Sequence, residues 1–315
     1  MSVTGLGIPY MGSKRKLAPK ILTHVIKENP KAKYFYDLFG GGGAVSLMAL
    51  QVKQFKKVHY NEFNPAIVNL MKHIIENGVA DDMYNWVSRE EFEKNKNRTD
   101  WYGGLLKTVW SFGNNQKGYL FGKDKEDEVK SFHDIIINND LKCIKKFKDK
   151  YNMDFEVDII HNTFKNKDIE TRRTIVTRLI KNKIIDLDVV RAEHLERFKR
   201  LEQLSTLVQL SKLEQLSKLE QLSISNLSYE QVEINTPPEE TILYLDPPYK
   251  DTAGYNKVID FNKLKEFIKS SPYTIYLSEY ANTYDMKLVK QFKHRGLLSV
   301  SVNNEVVEKL FCNKG

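Results

Sequence analysis

The chain has 315 residues, 41% hydrophobic and 29% charged, with 16 Phe and 16 Tyr. This composition predicts a soluble globular protein with a sizeable core, in one large domain or two modest ones. It contains no apolar run of membrane-spanning length, no cleavable leader pattern and only two cysteines. These features exclude a membrane span, a disulfide scaffold and a cysteine-rich zinc site, and we expect a cytoplasmic protein. The net charge of +8 and the pI of about 9.1 permit a polyanionic partner such as nucleic acid but do not prove one.

The first 64 residues alternate between helical and extended patterns. They predict a helix over 19–28, a strand over 33–39, a turn of four glycines at 40–43, a helix over 44–50 and a strand over 57–62. Asn64 and a following proline then open a helix over 66–76. This order is the general plan of a nucleotide-binding α/β unit.

The glycine turn at the end of the first strand is a candidate ligand site. Glycines allow the backbone to approach a ligand closely, and the next helix directs its N-terminus there. The run matches neither the dinucleotide fingerprint nor a P-loop, and the alternative is a plain tight turn. Glu62 ends the following strand about twenty residues later, where a carboxylate can accept both hydroxyls of a ribose. For Glu62 alone, a solvated charge at a strand end is the better interpretation.

Residues 77–200 form a second block that is rich in Lys, Asn and Asp and largely helical in pattern. Between positions 141 and 183 there are 12 Lys or Arg and 6 Asp or Glu. Residues 113–122 interrupt the helical pattern and predict a hairpin or a long loop. Trp86, Trp101 and Trp110 are expected to pack in the core and not to act as base wedges.

Leucine recurs every three residues from 201 to 222, within a Lys-Leu-Glu-Gln-Leu-Ser hexad. Because an α-helix has 3.6 residues per turn, this spacing drifts around the helix and is not a coiled-coil heptad. We therefore predict a helical or partly disordered insertion of low functional content, with a specific partner helix as the alternative.

From position 224 onward, strands and helices alternate again, with strands over 241–245 and 273–277 and a helix over 262–270. Asp246, Pro247, Pro248 and Tyr249 follow the first of these strands directly. Two prolines stiffen the turn and hold the aspartate at the carboxyl edge of the sheet, where α/β proteins place their ligands. The Asp246 carboxylate and the Pro247 carbonyl form a pair of acceptors for an exocyclic amine, and Tyr249 offers a flat face to a planar ring. The alternative is a polar turn with a surface tyrosine.

Two further groups of residues carry weaker signals. The seven histidines show no metal-ligand spacing, so we predict no metal site. Ser278, Glu279 and Tyr280 follow the last predicted strand, and they either border the pocket or form a plain turn.

The motif Asp246 to Tyr249, combined with Asp37-Leu38-Phe39-Gly40-Gly41-Gly42-Gly43, resembles the Dam-like (D12 class) adenine-N6 DNA methyltransferases. The opening Pro9-Tyr10-Met11-Gly12-Ser13-Lys14-Arg15-Lys16 is similar to that family's aromatic-x-Gly-x-Lys motif, and the stretch from Trp110 to Gly122 is similar to its DNA-recognition hairpin. The leucine hexads depart from the family pattern, and Ser228 stands where the family often has an acid near the cofactor's adenine.

This resemblance implies a role for each matching residue. Tyr10 and Lys14 would line the cofactor and target pocket. Asp37, Phe39, Gly40 and Gly42 would hold the methionine end of S-adenosylmethionine, and Glu62 would bind its ribose. Asp246 and Pro247 would orient the target amine beside the cofactor, with Pro248 in the same motif and Tyr249 stacked on the extruded base. Lys14, Asn114, Asn115 and Lys117 are the candidate DNA contacts, and Arg15 and Lys16 add phosphate contacts.

The resemblance also implies a fold, a function and partners. We expect an α/β, Rossmann-like S-adenosylmethionine-dependent methyltransferase fold with residues 1–70 and 224–315 as catalytic domain. The inserted, mainly helical DNA-recognition region is expected over 71–200 and the leucine insertion over 201–223. The expected activity is site-specific adenine-N6 methylation of double-stranded DNA, and a restriction nuclease, if one acts with it, would be another chain. A same-fold methyltransferase acting on RNA or protein and a DNA-binding protein without catalysis are the alternatives.

Overall fold

A computed structural model of the chain describes residues 5–186, 205–216, 218–248, 259–295 and 305–314. The strands are β1 (Tyr34–Asp37), β2 (Lys57–Asn61), β3 (Leu222–Ser225), β4 (Thr241–Leu245), β5 (Thr274–Glu279), β6 (Lys287–Arg295) and β7 (Glu305–Cys312). The helices are α1 (Ala18–Glu28), α2 (Ala44–Leu50), α3 (Pro65–Asn77), α4 (Arg89–Asn95), α5 (Trp101–Val109), α6 (Glu126–Ile136), α7 (Leu141–Lys150), α8 (Val157–Lys165), α9 (Ile169–Asp186), α10 (Ser205–Ser211) and α11 (Phe261–Ser270). Short 3-10 helices lie at Asp81–Tyr84, Phe112–Asn114, Lys123–Lys125, Lys212–Gln215, Leu219–Gln221, Tyr229–Gln231 and Pro238–Glu240.

The seven strands form a single sheet in the order β3-β2-β1-β4-β5-β7-β6. The five strands from β3 to β5 run parallel, and β7 pairs antiparallel with both β5 and β6. The expected mostly parallel α/β sheet is therefore confirmed. Because β1 lies between β2 and β4, and the chain crosses from β2 and β3 on one side of it to β4 and β5 on the other, the strand order reverses beside β1. Open α/β sheets bind their ligands at such a switch point.

Both faces of the central strands are covered, which explains their continuous apolar sequences. All five residues of β4 are buried. Ile242 and Tyr244 join the cluster formed with α1 and α2, whereas Leu243 and Leu245 join the cluster formed with α11. Side chains thus alternate between two cores, as the period of a strand requires.

The helices of the middle region extend the core of the sheet. One apolar cluster runs from Tyr60 on β2 through α3 to Trp110, Phe132 and Val176 in the middle helices. Gly104 of α5 packs closely on α3, since a Cβ at this position would lie 2.2 Å from the Ala66 carbonyl oxygen. The predicted boundary at 70/71 falls inside α3. The apolar core of the sheet therefore continues into the middle region, and the domain division at 70/71 stays a prediction. The expected packing role of the three tryptophans is confirmed.

The leucine repeat packs into the protein, contrary to the expectation that its spacing suits no sustained interface. Leu207, Leu210 and Leu213 are all buried, and the chain changes from α-helix to 3-10 helix at Lys212. Leu207 and Leu210 are three residues apart in α10 and therefore lie on one face of that helix, and Leu213 follows in the 3-10 segment. The repeat then enters the sheet, because β3 begins at Leu222, two residues before the predicted boundary at 224. Positions 201–204 and 217 lie outside the described residues.

The hairpin of β6 and β7 closes the end of the sheet next to β5, and the sequence patterns did not predict it. Among the described residues, no helix combines the length and the apolar character needed to cross a membrane.

Candidate active site

The carboxyl ends of β1, β2 and β4 open into a cavity of about 360 Å³. Its walls come from the opening segment at 10–14, the glycine turn, the ends of the three strands, the 227–230 segment and the start of α11. This volume lies within the range of small-molecule sites. Segments that are far apart in the sequence thus meet at the switch point of the sheet.

The glycine turn holds its shape through two positions that require glycine. Gly41 has φ of +49°, and its carbonyl oxygen accepts a hydrogen bond from Tyr60 Oη at 2.7 Å. A Cβ on Gly42 would lie 2.4 Å from the Ile8 carbonyl oxygen, and the Gly42 carbonyl accepts the Ile8 N–H at 2.7 Å. The opening segment is therefore fastened directly against the turn.

Glu62 lies just after β2, and backbone donors hold both of its carboxylate oxygens. Gly41 N–H donates to Oε2 at 2.9 Å, and Asn64 N–H donates to Oε1 at 2.8 Å. Burial raises the pKa of Glu62, and these backbone donors oppose the rise. Glu62 thus joins the glycine turn to the beginning of α3 while it lines the cavity.

Asp37 is the last residue of β1 and is also buried in the cavity wall. Its Oδ2 accepts a hydrogen bond from Ser46 Oγ at 2.6 Å, whereas Oδ1 has no hydrogen-bond partner among the described residues. Burial raises the pKa of Asp37 to about 7, and the charges of Asp246 and Glu62 add to the rise. A buried acceptor without a donor is costly, so this oxygen favours a cationic or N–H-bearing ligand.

Asp246 follows β4 and forms an ion pair with Lys14 of the opening segment. Lys14 Nζ lies 2.8 Å from Asp246 Oδ1 and 3.6 Å from Glu308 Oε1 on β7. Lys14 is 5% exposed and Glu308 is 2% exposed, so the lysine bridges two acids inside the protein. Burial alone would lower the pKa of Lys14, but the charges of Asp246 and Glu308 outweigh it and raise this pKa well above its ordinary value.

The position of Lys14 bears on its predicted DNA contact. A phosphate contact requires an accessible cation, yet the Lys14 ammonium is buried and is held by Asp246 and by the Gly12 carbonyl at 3.3 Å. Lys14 lies in the cavity wall, and its predicted DNA contact stays a prediction. Lys16, two residues later, is exposed.

Glu279 ends β5 beside these charges and is also buried. Tyr280 N–H donates to Glu279 Oε1 at 2.8 Å, and Oε2 has no hydrogen-bond partner among the described residues. Burial raises the pKa of Glu279 to about 7, with further contributions from the Asp246 and Glu308 charges. The end of β5 thus adds a buried acid close to Asp246, whereas Tyr280, the next residue, is exposed.

Six more of the residues considered in the sequence analysis line the cavity. They are Tyr10, Phe39, Gly40, Pro247, Pro248 and Ser228. Phe39 also packs against Tyr229 with ring centroids 5.2 Å apart. Tyr249 lies outside the described residues.

The predicted hairpin at 113–122 is a compact loop closed by a single antiparallel bridge between Ser111 and Tyr119. Asn114 Nδ2 donates to the Thr108 carbonyl at 2.5 Å, and Asn115 Oδ1 accepts the N–H groups of Lys117 and Gly118. The two asparagines therefore use their side chains to shape the loop. Lys117 is exposed, and its role as a DNA contact stays a prediction.

Two residues that the sequence analysis missed have clear places in the site. Gln116 lines the cavity, and its Oε1 accepts a hydrogen bond from Asn64 Nδ2 at 2.9 Å. It lies between two of the predicted DNA contacts, so the loop assignment could have included it. Glu308 gave no local signal, because only the antiparallel return of β7 brings it to Lys14.

Comparison with known proteins supplies one match. The family model of the D12 class N6 adenine-specific DNA methyltransferases matches residues 10–313, nearly the whole chain. No curated protein matches the sequence.

Proposed function

Because this chain belongs to the D12 class N6 adenine-specific DNA methyltransferases, an enzyme family that methylates adenine in DNA, we propose the details of its reaction. The enzyme takes a methyl group from S-adenosylmethionine and transfers it by in-line displacement to the N6 amine of an adenine. The adenine belongs to a specific double-stranded sequence and is flipped out of the duplex. The seven-stranded mixed sheet is consistent with a methyltransferase of this kind.

One observation carries the proposal: a single cavity joins the glycine turn and Glu62 to Asp246. The glycine turn and Glu62 are suited to a cofactor that contains a nucleoside. Asp246 is suited to a methyl-accepting substrate that carries an amine. A cavity at the switch point that held only one of these groups would support a binding protein equally well. The presence of both in the same cavity favours a transfer reaction between two ligands.

The residues present fit the cofactor. Asp37 offers a buried, unpartnered Oδ1 in the cavity wall, and a cationic group there would satisfy it. Glu62 keeps acceptor capacity beyond its two backbone donors, because a carboxylate has about four lone-pair sites. When bound, S-adenosylmethionine supplies a methyl group on a positively charged sulfur. Asp37 and the glycine turn would hold its methionine end, and Glu62 its ribose.

Asp246 and Pro247 would activate the acceptor. The N6 lone pair of adenine is delocalised into the ring, so the amine is a poor nucleophile. If the Asp246 carboxylate and the Pro247 carbonyl accept the two N6 protons, they favour a pyramidal nitrogen whose lone pair points toward the methyl group. Lys14 keeps Asp246 ionised, which preserves its strength as an acceptor. The gain comes from positioning and charge stabilisation, and after the new bond has formed the methylated nitrogen, now cationic, releases one proton to solvent water.

The acceptor base must leave the duplex before this chemistry, at a cost of a few kcal/mol. The basic middle region supports DNA binding, with 12 Lys or Arg against 6 Asp or Glu between 141 and 183. The loop at 112–118 is the structural candidate for contacts that set the target sequence.

The test is transfer of labelled methyl from S-adenosylmethionine to unmethylated duplex DNA, followed by sequencing of the product. We expect N6-methyladenine at one short motif. Asp246→Ala should lose transfer but still bind S-adenosylmethionine, and exposed Asp127→Ala on α6 serves as the matched control. Cofactor binding without incorporation into any DNA would contradict the proposal.

A further inference from the structure

We propose that the hydrogen bond between Asn64 and Gln116 couples cofactor binding to DNA binding, with both residues acting as positioning residues. This inference rests on the proposed function, because it assigns a link between the two ligands of the same site. The bond joins the end of the cofactor-binding strand β2 to the loop at 112–118, the candidate recognition loop.

Asn64 is fixed from three directions. Its Oδ1 accepts the Ala66 N–H at 3.1 Å and caps α3, so the amide nitrogen points away from the helix. Nδ2 donates to Gln116 Oε1 at 2.9 Å. Its backbone N–H donates to Glu62 Oε1 at 2.8 Å. The residue that orients the proposed ribose acceptor is therefore the residue that holds the loop.

The other oxygen of Glu62 extends this connection to the glycine turn through Gly41 N–H at 2.9 Å. A continuous series of hydrogen bonds thus runs from the turn through Glu62 and Asn64 to Gln116. Each bond lies within the ordinary length of its type. A ligand that forms hydrogen bonds with Glu62 shares that carboxylate with the Asn64 N–H, and it therefore also affects the position of Asn64.

The loop presents Gln116 in a conformation that its neighbours impose. Gln116 has φ of +65°, an uncommon value for a residue with a side chain, and its N–H donates to Ser111 Oγ at 3.1 Å. The Phe112 N–H to Gly118 carbonyl bond at 2.9 Å closes the loop. Because Gln116 also lines the cavity, the loop contributes part of the wall around the cofactor.

These contacts predict positive coupling between the two ligands. Cofactor in the cavity stabilises the position of Gln116, so DNA has less of the loop left to order when it binds. By thermodynamic reciprocity, bound DNA must increase the affinity for the cofactor by the same factor. Couplings of this kind typically change affinity on the order of 5- to 150-fold. We expect S-adenosylhomocysteine to bind at least about fivefold more tightly when the duplex is present.

Two variants remove the bond while they preserve its surroundings. Asn64→Ser keeps a side-chain cap for α3 but cannot reach Gln116. Gln116→Met keeps the length of the side chain and removes its acceptor. Asn69→Ser is the matched control, because this exposed amide lies on the same helix and donates to the Thr99 carbonyl outside the cavity.

The experiment measures the dissociation constant of S-adenosylhomocysteine by calorimetry with and without unmethylated duplex that carries the sequenced target. The wild type and Asn69→Ser should show the fivefold or greater tightening, and both Asn64→Ser and Gln116→Met should reduce it to within about twofold of unity. The double variant should behave like either single variant, because both substitutions remove the same bond.

Unchanged tightening in Asn64→Ser and Gln116→Met would overturn the inference, and so would its absence in the wild type or its equal loss in Asn69→Ser. These results leave the proposed function standing, because methyl transfer by the wild type is measured separately. If the wild type binds no S-adenosylhomocysteine and transfers no methyl group, both the inference and the proposed function fail. Gln116→Met alters a half-buried loop side chain, so it provides a folded variant even if Asn64→Ser weakens α3.

Discussion

Lys14 carries a positive charge into the interior, where Asp246 and Glu308 flank it. Two carboxylates beside one ammonium leave an excess of negative charge, and Glu279 with its pKa of about 7 is the nearby acid that can stay protonated. The lysine therefore compensates the charge of the Asp246 carboxylate. Breaking a buried pair by removing one partner leaves an uncompensated charge.

Lys14→Met should raise the pKa of Asp246, because its nearest positive charge is lost. We expect a loss of about 3–5 kcal/mol in the free energy of unfolding and a marked drop in methyl transfer at neutral pH. Transfer should recover partly at higher pH, where Asp246 ionises again. The measurement is a pH–rate profile together with urea denaturation.

Two further variants separate charge from folding. Lys20→Met on the exposed side of α1 should leave the profile unchanged. Lys14→Met combined with Glu308→Gln should regain stability but keep the shifted profile, because Asp246 still lacks its cation. An unshifted profile in Lys14→Met would show that Lys14 does not control Asp246.

The raised pKa of Asp37 predicts that the affinity for the cofactor depends on pH. Its pKa of about 7 in the folded protein lies above the ordinary 3.8, so the protonated form dominates below pH 7. A cationic ligand requires the ionised form, and binding at pH 6 must therefore release a proton. The affinity for S-adenosylmethionine should fall as the pH drops through 7 and be nearly constant above pH 8.

The same shift affects stability. An acid whose pKa is higher in the folded protein than in the unfolded chain favours the folded state below pH 3.8. This contribution to the free energy of unfolding is lost as the pH rises toward 7. Bound cofactor offsets this loss, so thermal stabilisation by S-adenosylmethionine should be larger at pH 8 than at pH 6. Asp37→Asn should remove both dependences, and calorimetry in buffers of different ionisation enthalpy counts the protons. A wild-type affinity that does not change between pH 6 and 8 would contradict this role.

Elements with a local sequence signal were predicted well. The helix predicted over 44–50 and the strand predicted over 241–245 match α2 and β4 at both ends. Apolar runs bounded by glycines or prolines define these elements locally. The β6–β7 hairpin carries no such boundary in the described residues, and its place beside β5 depends on distant pairing. Glu308 was missed for that reason, and the loop holding Asn114 and Asn115 was predicted as a hairpin or a long loop without the side-chain contacts that shape it.

The leucine repeat shows how the length assumed for a helix affects a prediction. The three-residue spacing was judged against a long α-helix, but α10 ends at Ser211, and over so short a helix Leu207 and Leu210 stay on one face and are buried. Gln209 of α10 also donates to the Gly5 and Gly7 carbonyls, at 2.5 and 3.1 Å, so the repeat contacts the opening segment. The described part of the repeat is a structural element of the site's surroundings.

Leu210→Ala tests this packing. Leu210 is fully buried, so its truncation should lower the free energy of unfolding by about 2–5 kcal/mol. Leu216→Ala, at a half-buried position of the same repeat, should cost clearly less. Urea denaturation of both variants provides the measurement, and equal small losses would indicate that the repeat is not part of the core.

At the scale of the whole molecule, the catalytic sheet and the middle helices share one apolar cluster. The sequence suggested an inserted domain because the composition changes after position 77, but a change of surface composition does not require a separate core. The charges lie outside, and the buried residues of α3 and α5 continue the interior. The loop at 112–118 lies between Trp110 and Tyr119 of this cluster and is therefore attached to the same core as the cavity.

The shared core predicts a single unfolding transition. Trp86, Trp101 and Trp110 report on the middle region by fluorescence, and circular dichroism reports on the whole chain. Both signals should follow the same urea curve with one midpoint. Two separated midpoints would mean that the middle region folds independently.

The ion pair of Lys14 and Asp246 joins positions 232 residues apart. A ribosome adds about 5–20 residues per second, so the lysine emerges on the order of 10–50 s before its partner. During that interval the opening segment lacks the charge that draws Lys14 inside, and β4 is also missing from the centre of the sheet. The cavity therefore cannot assemble while the chain is still short, and a nascent fragment that already contains the glycine turn lacks the wall that Asp246 provides.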